Sequence, residues 1–192
     1  MRTSNQPQKI VFIDIDGPLL PRRMWAAAEN IGLLNERVRD RAPLLRLDPG
    51  CVGLLVRLCD LAGARLVLAS NWRRTWPRSA SALLDKLIGE GLRADLWHER
   101  WMLPVLPHGG KSAEIAAWLD LDGGAGTFLF VDDEPLPLPA FVQHLGVDPD
   151  EGFGMTAYRQ GLAVFGASDP RDRWRSPASA ASSKLTHHCI KN

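Results

Sequence analysis

An open α/β sheet of parallel strands is the fold this sequence predicts, and three observations carry that prediction. Short apolar runs recur at Lys9–Asp14 (KIVFID), Ala64–Ala69 (ARLVLA) and Thr127–Val131 (TFLFV). They are continuous rather than alternating, the pattern of strands covered on both faces. Segments of helical periodicity lie between them, and strand–helix alternation is the mark of a parallel sheet with helices on both sides. The runs also end in polar residues, Asp14, Ser70 and Asp132, at the strand ends where such sheets bind ligands.

The elements follow in order. The first strand runs from Lys9 and delivers Asp14. Residues 22–47 are arginine-rich with scattered apolar positions and read as helix and loop. Asp48-Pro49-Gly50 starts a helix in which Val52, Leu55, Val56, Cys59 and Leu61 share a face, and Gly63 is a natural stop. The second strand, 64–69, is followed by a helix over 77–91 and a third strand over Ala94–His98. Gly110-Lys111-Ser112 opens a helix through Leu119, the fourth strand spans 127–131, and Thr156 is placed to cap a last helix over 157–165. From Ala167 the chain becomes rich in Ser, Ala, Pro and Arg and reads as a mobile tail. The expected division is an N-terminal extension at 1–8, one domain at 9–166 and the tail at 167–192.

A chain of 192 residues can bury a full core. Its net charge of +1 provides no global field to select nucleic acid or a membrane, so any basic footprint is local. No apolar run reaches membrane-spanning length and the N-terminus lacks a signal-peptide core, so a soluble cytoplasmic protein is expected. Cys51, Cys59 and Cys189 have no metal-type spacing. Cys51 and Cys59 lie on one apolar segment and read as buried thiols rather than disulfide partners.

Asp14 and Asp16 leave the first strand two residues apart. Both can face one pocket while Ile15 points away, and Gly17 lets the backbone turn sharply. Two close carboxylates repel, which a divalent cation relieves, and an all-oxygen ligand set suits Mg²⁺. Asp132-Asp133-Glu134 leaves the fourth strand in the same way, and adjacent strand ends would join the two acidic groups into one metal site. Ser70-Asn71 ends the second strand, where a hydroxyl and a following N–H can cradle a phosphoryl oxygen. Lys111 at a helix start can reach phosphate. Each piece alone has a bland reading: a solvated turn for the acids, a helix cap for Ser70, a solvent-facing lysine for Lys111. Gly110-Lys111-Ser112 is not part of a Walker A loop, because the first glycine of the required spacing is missing.

Taken together and in this order, DIDGPL at 14–19, ASN at 69–71, Lys111 and VDDEP at 131–135 resemble the haloacid dehalogenase-like (HAD) phosphatase superfamily. Within it, DIDGPLLP, SNWR and FVDDEP are most similar to the small HAD domains of bacterial Swiss-army-knife RNA-repair proteins. The resemblance implies a Rossmann-like catalytic domain and a Mg²⁺-dependent phosphomonoesterase. Asp14 would attack phosphorus and form an aspartyl-phosphate, and Asp16 would act as general acid and then base. Ser70, Asn71 and Lys111 would hold phosphoryl oxygens. Asp14, the Asp16 carbonyl, Asp132 and Asp133 would surround the metal. The family has Thr or Val where this chain has Pro18, so the first loop is expected to be set differently.

The gaps between these motifs leave no room for a large cap domain, which suits phosphates on bulky substrates. Beside the second motif lie Trp72, Arg73, Arg74 and Arg78, with Trp97 and Trp101 further on. Arginines can contact a phosphate backbone and tryptophans can stack bases, so these are candidate substrate-binding residues; Arg22 and Arg23 could extend that rim. Aromatic residues are buried more often than not, and the preferred reading is core or lid packing for Trp72, Trp97 and Trp101 and a solvated rim for the arginines. The expected substrate is a nucleic-acid or nucleotide phosphate end. The alternatives are a small phosphometabolite, or a HAD-fold module that binds without catalysis, against which the paired Asp14 and Asp16 argue.

Overall fold

The computed structural model describes residues 7–122 and 125–175. Five strands form one parallel sheet in the order β3-β2-β1-β4-β5. They are β1 (Gln8–Ile13), β2 (Arg65–Leu68), β3 (Trp97–Met102), β4 (Gly126–Asp132) and β5 (Val142–Gly146). The three apolar runs become the three central strands, buried on both faces. One face of the sheet carries Val11, Ile13, Leu66, Leu68, Leu129 and Val131. They meet the helices α4 (Pro49–Ala62), α6 (Ala80–Gly89) and α8 (Met155–Val164) through residues such as Leu55, Leu83 and Tyr158. The opposite face carries Ile10, Phe12, Val67, Phe128 and Phe130 under Ile115 and Trp118 of α7 (Lys111–Asp122).

The start of α4 is as its residues dictate. Asp48 accepts from the N–H groups of Gly50 and Cys51 at 2.8 and 2.9 Å, Pro49 occupies the first turn, and Gly63 ends the helix at φ 66°. Its buried stripe is Cys51, Val52, Leu55, Leu58, Cys59 and Ala62, with Val56 and Leu61 half-buried against the same cluster. Between β1 and α4 the chain forms only three single-turn helices, α1 (Arg22–Trp25), α2 (Ala28–Ile31) and α3 (Val38–Arg41), and no separate cap domain is present among the described residues. Buried Asn30 clips this segment: its amide donates to the Met24 and Arg46 carbonyls at 3.0 and 2.9 Å, and its oxygen accepts from Arg46 N–H at 2.8 Å. No helix among the described residues is long and apolar enough to cross a membrane.

Several boundaries differ from expectation. The third strand begins at Trp97, after a 3₁₀ turn over Ala94–Leu96, because the partner register pairs Leu66 with Trp97 and Leu68 with Met102 across an irregularity. Its polar sequence, WHERWM, hid its extent beyond His98. The edge strand β5 went unrecognised for a similar reason, since only Val142 and Leu145 of its five residues are buried. The helix expected over 77–91 is α6, capped by Ser79, whose hydroxyl accepts from Ala82 N–H at 3.3 Å. The last helix begins at Met155 with Gly154 as its cap residue, so Thr156 lies inside the first turn.

The described fold continues past position 166, into the expected tail. Asp169 is buried, receives Arg57 through two contacts at 2.6 and 2.5 Å, and accepts from the Tyr158 hydroxyl at 2.6 Å. Residues 176–192 of the expected tail, with Cys189, lie outside the described residues. Cys51 and Cys59 are free, buried thiols, pushed up by burial to about 11 and about 12.

Candidate active site

The strand order explains the site. β1 is central and lies between β2 and β4, so its C-terminal end is flanked by theirs. Ala69 N–H donates to the Ile13 carbonyl at 2.8 Å and Asp14 N–H to the Val131 carbonyl at 3.1 Å. Those bonds bring Ser70, Asp14 and Asp132 side by side at the carboxyl edge. The chain reverses its direction of strand addition between β1 and β4, and this switch point is where open α/β sheets leave a crevice.

Asp14, Ser70 and Asp132 are all buried. The Lys111 ammonium lies between the two acids, in direct contact with Asp14 Oδ2 and 2.6 Å from Asp132 Oδ2. The other oxygens are also occupied: Asp14 Oδ1 accepts from Ile15 N–H at 2.7 Å, and Asp132 Oδ1 from Glu134 N–H at 2.9 Å. Burial raises the Asp14 pKa; Lys111 and Ser70 pull it down, Asp132 pushes it up, and the balance stays above the ordinary aspartate value. For Lys111, burial works against the charge, but contact with Asp14 and Asp132 outweighs it and the ammonium is held above its usual range.

Asp133 completes an acidic group: Asp14, Asp132 and Asp133 each offer a carboxylate oxygen within 4.8 Å of the others. Asp133 packs on Gly17, where a β-carbon would stand 2.5 Å from its carboxyl carbon, and Gly17 is itself at φ 84°. Glycine is thus required at position 17 by conformation and by contact. The adjacent Pro18 fits without loss. Leu19 and Leu20 donate to the Ile15 carbonyl at 2.9 and 2.8 Å, so the turn closes without an N–H from residue 18.

Asp16 has a different setting. Its side chain reaches the surface and is not part of the three-acid group. The Trp72 indole donates to Asp16 Oδ2 at 3.1 Å. Lost hydration and the charge of Asp14 push the carboxyl up to about 6. Asn71 is exposed beside it and lines the same recess.

The arginines expected at a substrate rim part company. Arg73 has a fully buried side chain and donates to the carbonyls of Ser70, Ala69, Leu103 and Pro104 at 2.8–3.2 Å, as well as to Glu114 Oε2 at 2.8 Å. It is an internal strut, because a guanidinium next to a strand end finds carbonyls to satisfy before it finds solvent. Arg74 also contacts Glu114 and donates to the Leu106 and Gly109 carbonyls at 3.3 Å, yet stays partly exposed. Arg78 is exposed. Trp72 is buried, as are Trp97 and, in part, Trp101, which meet edge to face at 6.0 Å. Arg23 turns to Asp48 at 2.8 Å, and Arg22 and Arg23 both face the 150–151 loop rather than the crevice. Glu114 escaped the sequence reading. It is wholly buried, accepts from Leu106 N–H at 3.0 Å and from both arginines, and so ties the loop before α7 to the second motif. Its only signal was an acid in the first turn of a helix.

The sequence around this site matches a known family. The chain belongs to the HAD domains of Swiss Army Knife RNA repair proteins. The match covers residues 10–159, from β1 into α8, and so includes every acid of the site and Lys111. No curated protein and no solved structure matches the chain. For a HAD domain the arrangement is chemically coherent: a buried carboxylate with a lysine against it, an elevated carboxyl at the mouth, and three acids whose hard oxygen donors fit a divalent cation such as Mg²⁺.

Proposed function

We propose that this HAD domain is a Mg²⁺-dependent phosphomonoesterase working through an aspartyl-phosphate on Asp14, with a phosphorylated nucleic-acid end as substrate. The observation that carries the reading is the buried pair Asp14 and Asp132 bracketing Lys111, with Asp133 in the same group. An Asp14 oxygen bonds to phosphorus as the ester P–O bond breaks. Asp16 protonates the departing alkoxide, which its elevated carboxyl suits at near-neutral pH. The ionised Asp16 then takes a proton from water attacking the aspartyl-phosphate, and inorganic phosphate leaves as Asp14 is restored. Lys111 and Ser70 hold the transferring oxygens, Lys111 by its charge and Ser70 by its hydroxyl. Asp14, Asp132 and Asp133 would hold Mg²⁺, which when bound supplies charge neutralisation at the phosphoryl group. The family's RNA-repair setting and the absence of a cap domain among the described residues support a bulky substrate.

The test is hydrolysis of an aryl phosphate and of a phosphorylated oligonucleotide by the full chain with Mg²⁺. Asp14→Asn keeps the shape and removes the nucleophile, so both rates should fall to background, and EDTA should abolish turnover reversibly. Wild-type rates in the Asp14→Asn protein would refute the mechanism.

A further inference from the structure

Two recesses lie beside the site, and the inner one shares Asp16 and Asn71 with it. The inner one, of about 270 Å³, is lined by Asp16, Asn71, Trp72 and Thr75 on one side and by Trp25 and Arg41 on the other. The outer one, of about 490 Å³, is lined by Arg37, Arg39, Arg74, Thr75 and Trp76. Thr75 is common to both, and Trp72 of the inner recess stacks on Trp76 of the outer at 5.8 Å and 20°. The recesses are neighbours that meet at Thr75, the inner one beside the candidate proton donor, between the 21–47 segment and α5 (Trp72–Thr75), and we read them as one track.

The chemistry of this track is one-sided. The outer recess has three arginines and no acid on its walls. Arg37 and Arg39 are exposed and make no ion pair among the described residues, and Arg74 shares the single charge of Glu114 with Arg73. Their sequence neighbours Glu36 and Asp40 line neither recess. Flat apolar surface is interleaved with the charge: the Arg41 guanidinium lies 4.9 Å over the Trp25 ring, and Trp76 is half-buried. Arg41 Nε and Trp76 Nε1, on residues of the two recesses, are buried donors without a hydrogen-bond partner. Cationic donors alternating with aromatic faces along a groove are the means by which proteins hold single strands: arginine on phosphodiesters, rings on bases. Asn30 clips the segment that carries this wall at its two ends, Met24 and Arg46.

We infer that this track is a single-strand binding groove, in which Arg37, Arg39 and Trp76 take the phosphodiesters and a base of an oligonucleotide whose phosphorylated end reaches Asp14. The assignment rests on the phosphatase reading for the direction of the strand, but the groove itself can be tested without turnover.

Binding of a labelled, phosphorylated RNA hexamer to the Asp14→Asn protein, with Mg²⁺ present, reads the groove alone. Arg37→Ala/Arg39→Ala in that background should weaken binding about tenfold and flatten its logarithmic salt dependence by about 1.4, the expectation for two lost contacts to a single strand. In the active protein the same pair should lower kcat/KM for the hexamer relative to that for an aryl phosphate by a similar factor. Unchanged binding and slope, or equal losses on both substrates, would overturn the groove. So would equal competition by an inorganic polyphosphate, which has charge but no rings. A failure of the phosphatase reading has another signature: no aryl phosphate turnover by the unmodified chain, with hexamer binding still sensitive to Arg37 and Arg39.

Discussion

Asp14 and Asp16 are the same residue two positions apart, and their surroundings separate them. Asp14 is sealed against a lysine, whereas Asp16 stands at the surface with an indole N–H on one oxygen and a pKa of about 6. A nucleophile must be ionised and a leaving-group acid protonated; in the proposed mechanism the lysine contact favours the anion of Asp14, and the raised carboxyl of Asp16 suits the acid. The proton-bearing form of Asp16 is depleted as pH rises through about 6. For an alkyl phosphate, whose leaving group needs that proton, kcat/KM should therefore decline above about pH 6. Asp16→Asn should remove the limb and lower the rate about 10²–10⁴-fold. An aryl phosphate with an acidic leaving group should be affected much less in the first step. Parallel pH–rate profiles of the two esters check this, and identical losses on both would contradict a proton-donating Asp16.

At the scale of elements, the second motif and the loop before α7 are joined through a buried polar knot that no single segment of sequence announces. Glu114 serves two guanidiniums and a backbone N–H from full burial. Neutralising it leaves two arginines facing carbonyls only. Glu114→Gln should cost roughly 3 kcal/mol or more, a fall of roughly 6–12 °C in melting temperature for a chain of this size. Turnover should fall as well, because Lys111 begins the same helix. Thermal melts together with kcat measure both effects. The contrast with α4 shows what is legible from sequence. Asp48-Pro49-Gly50 and Gly63 specify that helix through local chemistry, and the continuous apolar runs specify the central strands for the same reason. The positions of Asp14, Ser70 and Asp132 followed, since strand ends place them, and so did that of Lys111 at a helix start. The bounds of β3 and the existence of β5 did not, because these edge strands are amphipathic or polar and are defined by their partners. Nor did the fates of Arg73 and Arg74, which depend on a glutamate some forty residues away. The same holds for Arg37, Arg39 and Trp25, which gain meaning only when the 21–47 segment is folded against α5.

For the whole molecule, the joint at Asp169 fastens the chain beyond α8 to α4 through Arg57 and to α8 through Tyr158. The Arg57 guanidinium, through its hydrogen bonds, holds the Asp169 carboxyl well below the usual carboxylate range. A depressed carboxylate contributes stability that is complete above its unfolded value, about 3.9, and is lost as pH falls through the folded one. Asp169→Asn should thus lower the melting temperature at pH 7, and the gap from the unmodified protein should narrow as both are melted at pH 3 and then pH 2. Truncation after Ala167 should destabilise at least as much at pH 7. A second consequence concerns the Lys111 ammonium between Asp14 and Asp132. It is an internal counter-ion that offsets charge otherwise left for a cation from solution to neutralise. Without it, folding would become conditional on the ionic environment. Lys111→Met should therefore melt lower than the unmodified chain in EDTA and regain a larger increment on adding Mg²⁺, since a ligand of the native state stabilises more as its affinity rises. Equal Mg²⁺ increments in the two proteins would show that lysine and metal do not share the task of neutralisation.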